Sequence, residues 1–392
     1  MLVAHRIELL VNNQERTYLA KCAGCARLSW NWAIQEWERQ YKAGEKPTAM
    51  RLKKQFNAVK YELFPFIDEV SQYPISQAFF DLSRAYQNFF RSIKNKDGQF
   101  HRPKFKSKRS SRQSAYFANT AIQLDGKKLY IQKLGWVGLR EELRFDGKIM
   151  GARVSREGRR WYIAIQVEVP YVRHRRRTKC RVEDLTGIDL GSTELAVLSN
   201  GERHLAPKSY NRRLEHIGRL QAKAAKLTKG SQRHKRAQER IRVLHSKIAR
   251  ERQGVQHRLT AHLTRRYRNL AVQKWNIKGM TESASGTVEN PGKNVKVKAL
   301  FNRHALDAGW FETRRQLEYK AKRRATTVLT LPESHKPTRT CSLCDHEQDI
   351  TPAMERWTCE GCGITHRRKH NTAVNIRRWA EKCADLAEPS TG

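Results

Sequence analysis

Thr186-Gly187-Ile188-Asp189-Leu190-Gly191 sets a carboxylate at the end of an apolar run. Thr186 to Leu190 reads as a strand. After a turn, Glu194 to Leu198 reads as a second strand ending at Asn200-Gly201. Further on, Leu270 to Val272 resumes a strand, Ala299 to Lys322 carries amphipathic helical spacing, and Thr326 to Leu331 is another short strand. Strands interleaved with helices predict an α/β domain split by insertions.

The largest insertion, Lys208 to Arg268, reads as two long basic helices broken near Lys229-Gly230-Ser231. Leu214, Ile217 and Leu220 form one apolar stripe and Ile241, Leu244 and Ile248 another, so the pair can close as an antiparallel hairpin. Between Pro207 and Leu270 there are 19 Lys and Arg against three acids, Glu215, Glu239 and Glu251. That excess of 16 goes well beyond the mixed charge of an ordinary solvated helix face.

Upstream of the linker Arg173 to Arg181 the chain has a different character. Leu2 to Val11 reads as a strand, Thr17 to Lys42 as a helix, and Pro74 to Ile93 as a second helix. Phe79, Leu82, Tyr86, Phe89 and Phe90 share one face of the latter, which predicts core packing. Cys22 and Cys25 lie inside the first helix and read as small core residues. From Ala121 to Pro170 short alternating runs predict antiparallel strands, with turns at Asp125-Gly126, Asp146-Gly147 and Glu157-Gly158. The first strand can join this sheet, which makes the early helices an insertion.

The 392 residues leave room for two or three domains. Seventy-eight Lys and Arg against 38 acids give a formal charge of +40, which calls for a polyanionic partner. No apolar run approaches the roughly 18 residues of a spanning helix, and the N-terminus has no signal-peptide pattern. Nucleic acid is therefore the expected polyanion and no membrane partner is expected. The expected location is the bacterial cytoplasm, with the protein associated with the nucleoid through DNA.

Arg102, Lys104, Lys106, Lys108, Arg109 and Arg112 come with no acid between His101 and Leu124, and Phe105, Tyr116 and Phe117 interleave them. A solvated basic loop is one reading. Charge combined with Ser and Gln donors favours a segment that contacts phosphates. The candidate nucleic-acid contacts are Gln77, Arg84, Lys104, Lys106, Lys108, Arg109, Gln113 and Asn119.

Cys341-x2-Cys344, fourteen intervening residues and Cys359-x2-Cys362 match a structural zinc site, with four thiolates and no position left for water. Cys180 and Cys383 stand alone, and no disulfide framework is indicated. Asp345, Glu347, Asp349, Glu355 and Glu360 make this segment a poor phosphate clamp.

Several motifs together resemble TnpB, the RNA-guided nuclease family of bacterial transposons related to the type V CRISPR effectors. They begin with Cys25-Ala26-Arg27 through Asn31-Trp32-Ala33, Pro103-Lys104-Phe105-Lys106-Ser107-Lys108 and Gly187-Ile188-Asp189-Leu190-Gly191. Trp275-Asn276-Ile277-Lys278-Gly279-Met280, Leu317-Glu318-Tyr319-Lys320, the cysteine segment and Asn371-Thr372-Ala373-Val374-Asn375-Ile376 follow in the same order.

The resemblance implies an α+β multidomain protein. A wedge domain of β-barrel type (1–16 and 100–182) would be interrupted by a helical recognition domain (17–99). A RuvC (RNase H-like) domain (183–338 and 364–392) would follow, with the basic hairpin at 208–268 and a zinc-ribbon insertion at 339–363. It also implies a guide RNA, with one protein chain per guide, and double-stranded target DNA carrying a short adjacent motif. Base pairing would read the target while protein reads the motif.

RuvC-type cleavage needs acids that hold two metal ions about 4 Å apart. Asp189 matches the family's first acid, but Gln273 stands where the second segment usually has Glu and Lys369 where the third usually has Asp. A unit cation about 4 Å from a divalent ion is repelled by several kcal/mol. Lys369 can instead pair with Asp189. The expectation is therefore a degenerate nuclease without catalytic magnesium, acting as an RNA-guided repressor of a host gene. The alternatives are an active endonuclease with rearranged carboxylates, drawn from Glu282, Glu312 and Glu318, and a guide-independent basic nucleic-acid-binding protein.

Overall fold

The computed structural model describes residues 1–96, 98–108, 112–170, 185–274, 276–287, 289–324, 326–332, 334–351 and 354–385. Arg109, the linker Arg173 to Arg181, Cys180 and Trp275 lie outside the described residues. The chain divides into two compact units, residues 1–172 and 173–392.

The first unit runs through β1 (Leu2–Leu10), α1 (Asn13–Lys42), α2 (Ala49–Leu63), α3 (Gln72–Asn95), β2 (Ser114–Ala118), β3 (Ile122–Asp125), β4 (Lys128–Ile131), β5 (Gly135–Leu139), β6 (Lys148–Glu157) and β7 (Arg160–Glu168). Its seven-stranded antiparallel sheet has the order β2-β6-β7-β1-β5-β4-β3. The N-terminal strand sits at the centre of the order, paired with β7 from Leu2↔Glu168 to Leu9↔Trp161 and with β5 at Leu9↔Leu139. Val3, His5, Ile7 and Leu9 alternate inward, so one face of β1 packs on the core.

The expected closed barrel is not found. The edge strands β2 and β3 make no ladder with each other, yet only the three-residue turn Asn119–Ala121 joins them. Three residues span at most about 10 Å, so the sheet must roll until its edges approach. The turn takes the place of the closing hydrogen bonds, and its Ala121 carbonyl accepts from Gln132 N at 2.9 Å.

Helix α1 begins four residues ahead of the expected Thr17. Asn12 and Glu15 form a reciprocal capping box that satisfies the first free N–H groups. α2, which periodicity alone does not reveal, is capped by Thr48 and buries Leu52 and Phe56. The α3 stripe packs into the core through Phe79, Leu82 and Tyr86, while Phe90 at its end is exposed. Trp37 and Tyr86 stack with centroids 4.5 Å apart. These helices share one hydrophobic core with the sheet, including Ile7, Leu129, Ile163 and Ile165. Cys22 and Cys25 are buried in it, and burial pushes their thiols up to about 12 and about 11.

The second unit contains β8 (Leu185–Leu190), β9 (Glu194–Leu198), β10 (Arg203–Leu205), α4 (Leu214–Ala225), α5 (Gln232–Arg266), β11 (Asn269–Gln273), α6 (Ile277–Met280), α7 (Val295–Ala308), α8 (Trp310–Arg324), β12 (Thr327–Leu331), β13 (Arg356–Thr358), β14 (Thr365–Arg367) and α9 (Arg368–Asp385). Its main sheet has the order β10-β9-β8-β11-β12. β8, β9 and β10 pair antiparallel, whereas β8–β11 and β11–β12 are parallel. All of β8 is buried, because helices cover both faces of the sheet. Ile188, Leu190, Leu270 and Val272 pack with Leu259, Leu263, Trp310 and Leu317, while Leu185 and Ala271 pack with Ile376 and Ala380 of α9.

The helix expected over Ala299 to Lys322 is two helices, α7 and α8. Gly309 separates them at φ +67°, and a Cβ there would stand 2.3 Å from Gln256 Nε2. Gln256 donates from that nitrogen to the Ala308 and Gly309 carbonyls, both at 3.0 Å, replacing helical bonds lost at the break. The basic hairpin forms as expected. Ile217 of α4 and Ile241 and Ile248 of α5 are buried, Ser231 caps α5, and Arg213 reaches Glu251 at 2.6 Å. Among the described residues no helix is long and apolar enough to cross a membrane.

Candidate functional site

Asp189 lies near the end of β8, on the sheet face covered by α9. The close packing of that helix depends on Gly187. A Cβ on Gly187 would fall 2.1 Å from the Ala373 carbonyl oxygen and 2.7 Å from Arg377 N. The absent side chain thus lets α9 settle onto the strand and carries Lys369, in its first turn, to the end of β8. A Cβ on Gly191 would meet Lys369 Nζ at 2.7 Å, so the ammonium rests against the backbone that follows Asp189.

The Lys369 ammonium pairs with Glu194 instead of Asp189, the expected partner, with which it interacts only through longer-range charge. Nζ lies 3.4 Å from Glu194 Oε2, and Glu194 also binds Arg203. Both side chains of the Lys369–Glu194 pair are largely buried. Burial works against ionisation of Glu194, but Arg203 and Lys369 outweigh it and hold the carboxyl below its usual range. Burial pushes the Asp189 carboxyl up to about 7, against the pull of Lys369 and Arg368, and Glu194 pushes the same way as burial. The Lys369 ammonium is lowered by burial, while Glu194 and Asp189 oppose that shift. Glu194 was missed in the sequence because it opens a strand with no motif of its own. Its one signal was an acid placed three residues after Gly191.

Gln273 follows Val272 just as Asp189 follows Ile188, and Val272 pairs with Ile188 in parallel register. The two residues therefore occupy neighbouring positions on one sheet face. The Gln273 amide does not act on Asp189. Its Nε2 donates to the His335 carbonyl at 3.1 Å, a bond that a carboxylate at this position could not make. The carboxylates considered as replacements are engaged elsewhere: Glu312 with Arg315 and Gln316, and Glu318 with Arg314. Glu282 lies two residues beyond the end of α6.

This donor set is a poor fit to a pair of divalent ions. Two such ions need several carboxylate oxygens facing one another across open space. Here burial disfavours ionisation of Asp189, Glu194 is paired with an arginine, and the Lys369 ammonium adds a positive charge beside Glu194. Beside the cluster lies a cleft of about 490 Å³, lined by Glu194, Arg203, Arg367, Arg368, Lys369 and His370 among others. Its charged lining is Arg203, Arg367, Arg368 and Lys369 against the two acids Glu194 and Glu355.

The four cysteines come together as the spacing predicts. Their Sγ atoms all lie within 4.8 Å of one another, with Cys341 and Cys359 buried and Cys344 and Cys362 exposed. Four thiol donors at that separation could bind zinc. β13 and β14 pair from Arg356↔Arg367 to Thr358↔Thr365, and Trp357 packs on Cys341 and Cys359. The acids of this segment serve as clamps: Asp345 binds Arg378, Asp349 binds Arg339 and Glu355 binds Arg367. Asn371 accepts from Ser342 N at 2.8 Å and donates to the Thr340 carbonyl, so the NTAVN segment fastens the cysteine module to α9.

The candidate nucleic-acid contacts fall into two groups. Lys104, Lys108, Arg84 and Asn119 are exposed. Lys106 is not: its Nζ sits 3.2 Å from the Trp30 ring centroid, and burial pulls its ammonium down to about 8. Asn31 clamps the same residue's backbone, donating to Lys106 O at 2.9 Å and accepting from Lys106 N at 2.8 Å. Lys106 is therefore held as an anchor of the segment, unlike the exposed Lys104 and Lys108. Gln77 donates to Asp81 at 2.9 Å, and Arg153 binds the same carboxylate at 2.9 Å. Gln77, Asp81, Lys106, Arg112 and Arg153 line one pocket, whereas Gln113 lends its backbone carbonyl to Arg156 N.

Three family models match this chain. One, OrfB of the IS605 type, described as "Probable transposase", covers residues 163–284. A Cas12f1-like TNB domain covers 310–376, and a helix-turn-helix domain covers 1–46. In this chain residues 1–46 form a strand and one uninterrupted helix. "Putative RNA-guided DNA endonuclease InsQ" of Escherichia coli (strain K12) is 29% identical over 381 residues, covering 96% of this chain and 91% of that protein. A protein of the same general name from Streptomyces pristinaespiralis is 26% identical over 397 residues, covering 98% and 92%. Among solved structures, a Cas12f1–sgRNA–target DNA complex aligns with 96% of this chain and 98% of its own at 12% identity and a TM-score of 0.45. The mini-RNA-guided endonuclease CRISPR-Cas_phi3 aligns over 100% and 93% at 8% identity and a TM-score of 0.47.

Proposed function

Because the chain belongs to the TnpB (IS605 OrfB) family, we propose that it binds double-stranded DNA under the direction of a guide RNA, without cutting it. Stable occupancy of a promoter excludes polymerase, so the role is transcriptional repression of a host gene. The observation that carries this reading is Lys369. Its ammonium lies against Gly191 and Glu194, where divalent ions would have to sit. A metal ion entering there would meet a unit positive charge within a few ångströms, a repulsion of roughly several kcal/mol even at an effective dielectric near 20.

The division of labour follows from the charge distribution. Guide–target pairing supplies sequence selectivity, while basic surfaces hold phosphates with little regard to sequence. α4 and α5 carry 13 Lys and Arg against three acids, a net +10 of the chain's formal +40, and the exposed Lys104 and Lys108 add to it. One chain per guide, a short motif beside the target and residence on the nucleoid belong to the same reading.

The test begins with sequencing RNA that co-purifies with the full-length protein. A single dominant RNA supports guided binding, and a heterogeneous pool supports a guide-independent basic binder. The matched duplex is then incubated with the complex and magnesium or manganese. Tight binding with intact DNA is expected; specific cutting overturns the repressor reading in favour of an active nuclease.

A further inference from the structure

Away from the Asp189 cluster, three side chains from separate elements converge at the edge of the sheet in the second unit. Glu202 closes the turn between β9 and β10, His204 lies on β10, and His262 lies in the last turns of α5. His262 Nε2 is 2.8 Å and His204 Nε2 3.1 Å from the same oxygen, Glu202 Oε1. The three candidate donor atoms all lie within 4.8 Å of one another. We propose that Glu202, His204 and His262 form a second metal site, taking a borderline divalent cation such as Zn²⁺ through Glu202 Oε1 and the two Nε2 atoms.

The donor chemistry fits. Zinc bonds to imidazole nitrogen and carboxylate oxygen are about 2.0 to 2.2 Å long, so adjacent tetrahedral ligands stand about 3.3 Å apart. The two imidazole–carboxylate separations need to open by only a few tenths of an ångström to admit an ion.

Hydrogen bonding alone leaves the cluster incomplete. His204 Nε2 is buried and lacks a hydrogen bond, because its approach to Glu202 has the wrong angle. A buried imidazole nitrogen aimed at a carboxylate already approached by another imidazole is an unsatisfied polar atom, and in the Nδ1–H tautomer it presents an unused lone pair. A metal ion would use it.

An outer shell is also present. Tyr267 OH donates to Glu202 Oε2 at 2.7 Å and accepts from Asn200 Nδ2 at 2.8 Å, while Glu202 N donates to Asn200 Oδ1 at 3.0 Å. This network turns the carboxylate so that Oε1 faces the imidazoles, as partners of metal-ligating carboxylates do. Arg265 and Arg266, farther along α5, oppose a cation, but both are exposed and water screens them. Three protein ligands leave a fourth position for water. The ion would pin the β9–β10 turn and β10 to α5, and with β10 it would steady Arg203, the partner of Glu194.

Full-length protein is equilibrated with zinc-buffered medium and its bound metal counted. Two zinc ions per chain are expected, one of them on the four cysteines. His262→Ala and Glu202→Gln should each lower the count to one, and circular dichroism should show both variants folded. Glu202→Gln keeps an acceptor for Tyr267, so its loss of metal would not reflect a collapsed network. In a second arm, cobalt(II) is added to protein whose cysteine site is filled with zinc. Ligand-field absorption without thiolate charge transfer is expected in the unmodified protein and absent from both variants. A count of one in the unmodified protein, with no cobalt spectrum, overturns the proposal. So does a second ion that persists in both variants.

Discussion

Lys369 Nζ stands 3.4 Å from Glu194 Oε2, and both are electrostatically coupled to the buried carboxyl of Asp189. This arrangement joins the first turn of α9, the start of β9 and the end of β8 through charge. A helix-borne ammonium thus compensates, from within the protein, negative charge that would otherwise need a cation.

The first prediction concerns cleavage. Neither Gln273→Glu nor Lys369→Asp alone should give magnesium-dependent cutting of a guide-matched duplex, because each leaves the ligand set incomplete. The double variant should gain activity. An assay of all four proteins with one purified guide decides the point, and cutting by either single variant would show that the missing acid is supplied elsewhere.

A second prediction follows from Asp189 and pH. Its carboxyl in the folded protein, near 7, lies above the ordinary value of 3.8. Its contribution to stability is therefore fully present below about pH 3.8 and lost as pH rises through 7. Asp189→Asn should remove this loss. Denaturant melts at pH 6 and pH 8 should show the stability of the variant relative to the unmodified protein rising with pH. Identical pH trends in the two proteins would mean that Lys369 fully compensates the charge.

Gly187→Ala tests the packing that brings Lys369 into place. The new Cβ would overlap the Ala373 carbonyl and Arg377 N, so α9 must shift. Overpacking of this kind costs about 1 to 3 kcal/mol. A drop of that size in unfolding free energy is expected, and an unchanged melt would show that the helix accommodates a methyl group at no cost.

For the cysteine module, Cys341→Ser or Cys359→Ser should release one zinc ion per chain and unfold the segment locally, since structural zinc couples binding to folding. Trp357 packs on both cysteines and provides a fluorescence signal for the change. Retention of the full metal count in both variants would contradict tetrathiolate binding.

Lysines of the basic segment should separate by role. Lys104→Ala and Lys108→Ala should each flatten the log–log salt dependence of nucleic-acid binding by roughly 0.7 to 0.9 while leaving selectivity intact. Lys106→Ala should chiefly lower the melting temperature, because it removes the cation lying on Trp30. A salt-slope change for Lys106 as large as for its neighbours would place its ammonium on phosphate after all.

Signals local in sequence were enough for a large part of this protein. The apolar run around Asp189, the alternation in the first strand, the stripes of the basic hairpin and the paired CxxC motifs each encode their element through spacing, because backbone geometry repeats along a helix or strand. The identities of Gln273 and Lys369 raised the expectation of an altered carboxylate set. Through-space partners were not legible. Only the tertiary structure decided that Glu194 and Arg203 complete the Lys369 cluster, that Gln273 bonds the His335 carbonyl, that Lys106 lies on Trp30, and that Gln256 stabilises the break at Gly309. It also decided that the rolled sheet stays open, with the Asn119–Ala121 turn in place of a closing ladder. The physical reason is common to all of these. A hydrogen bond or ion pair depends on which atoms are brought within about 3 to 4 Å, and helix packing and strand register set that distance across tens or hundreds of residues.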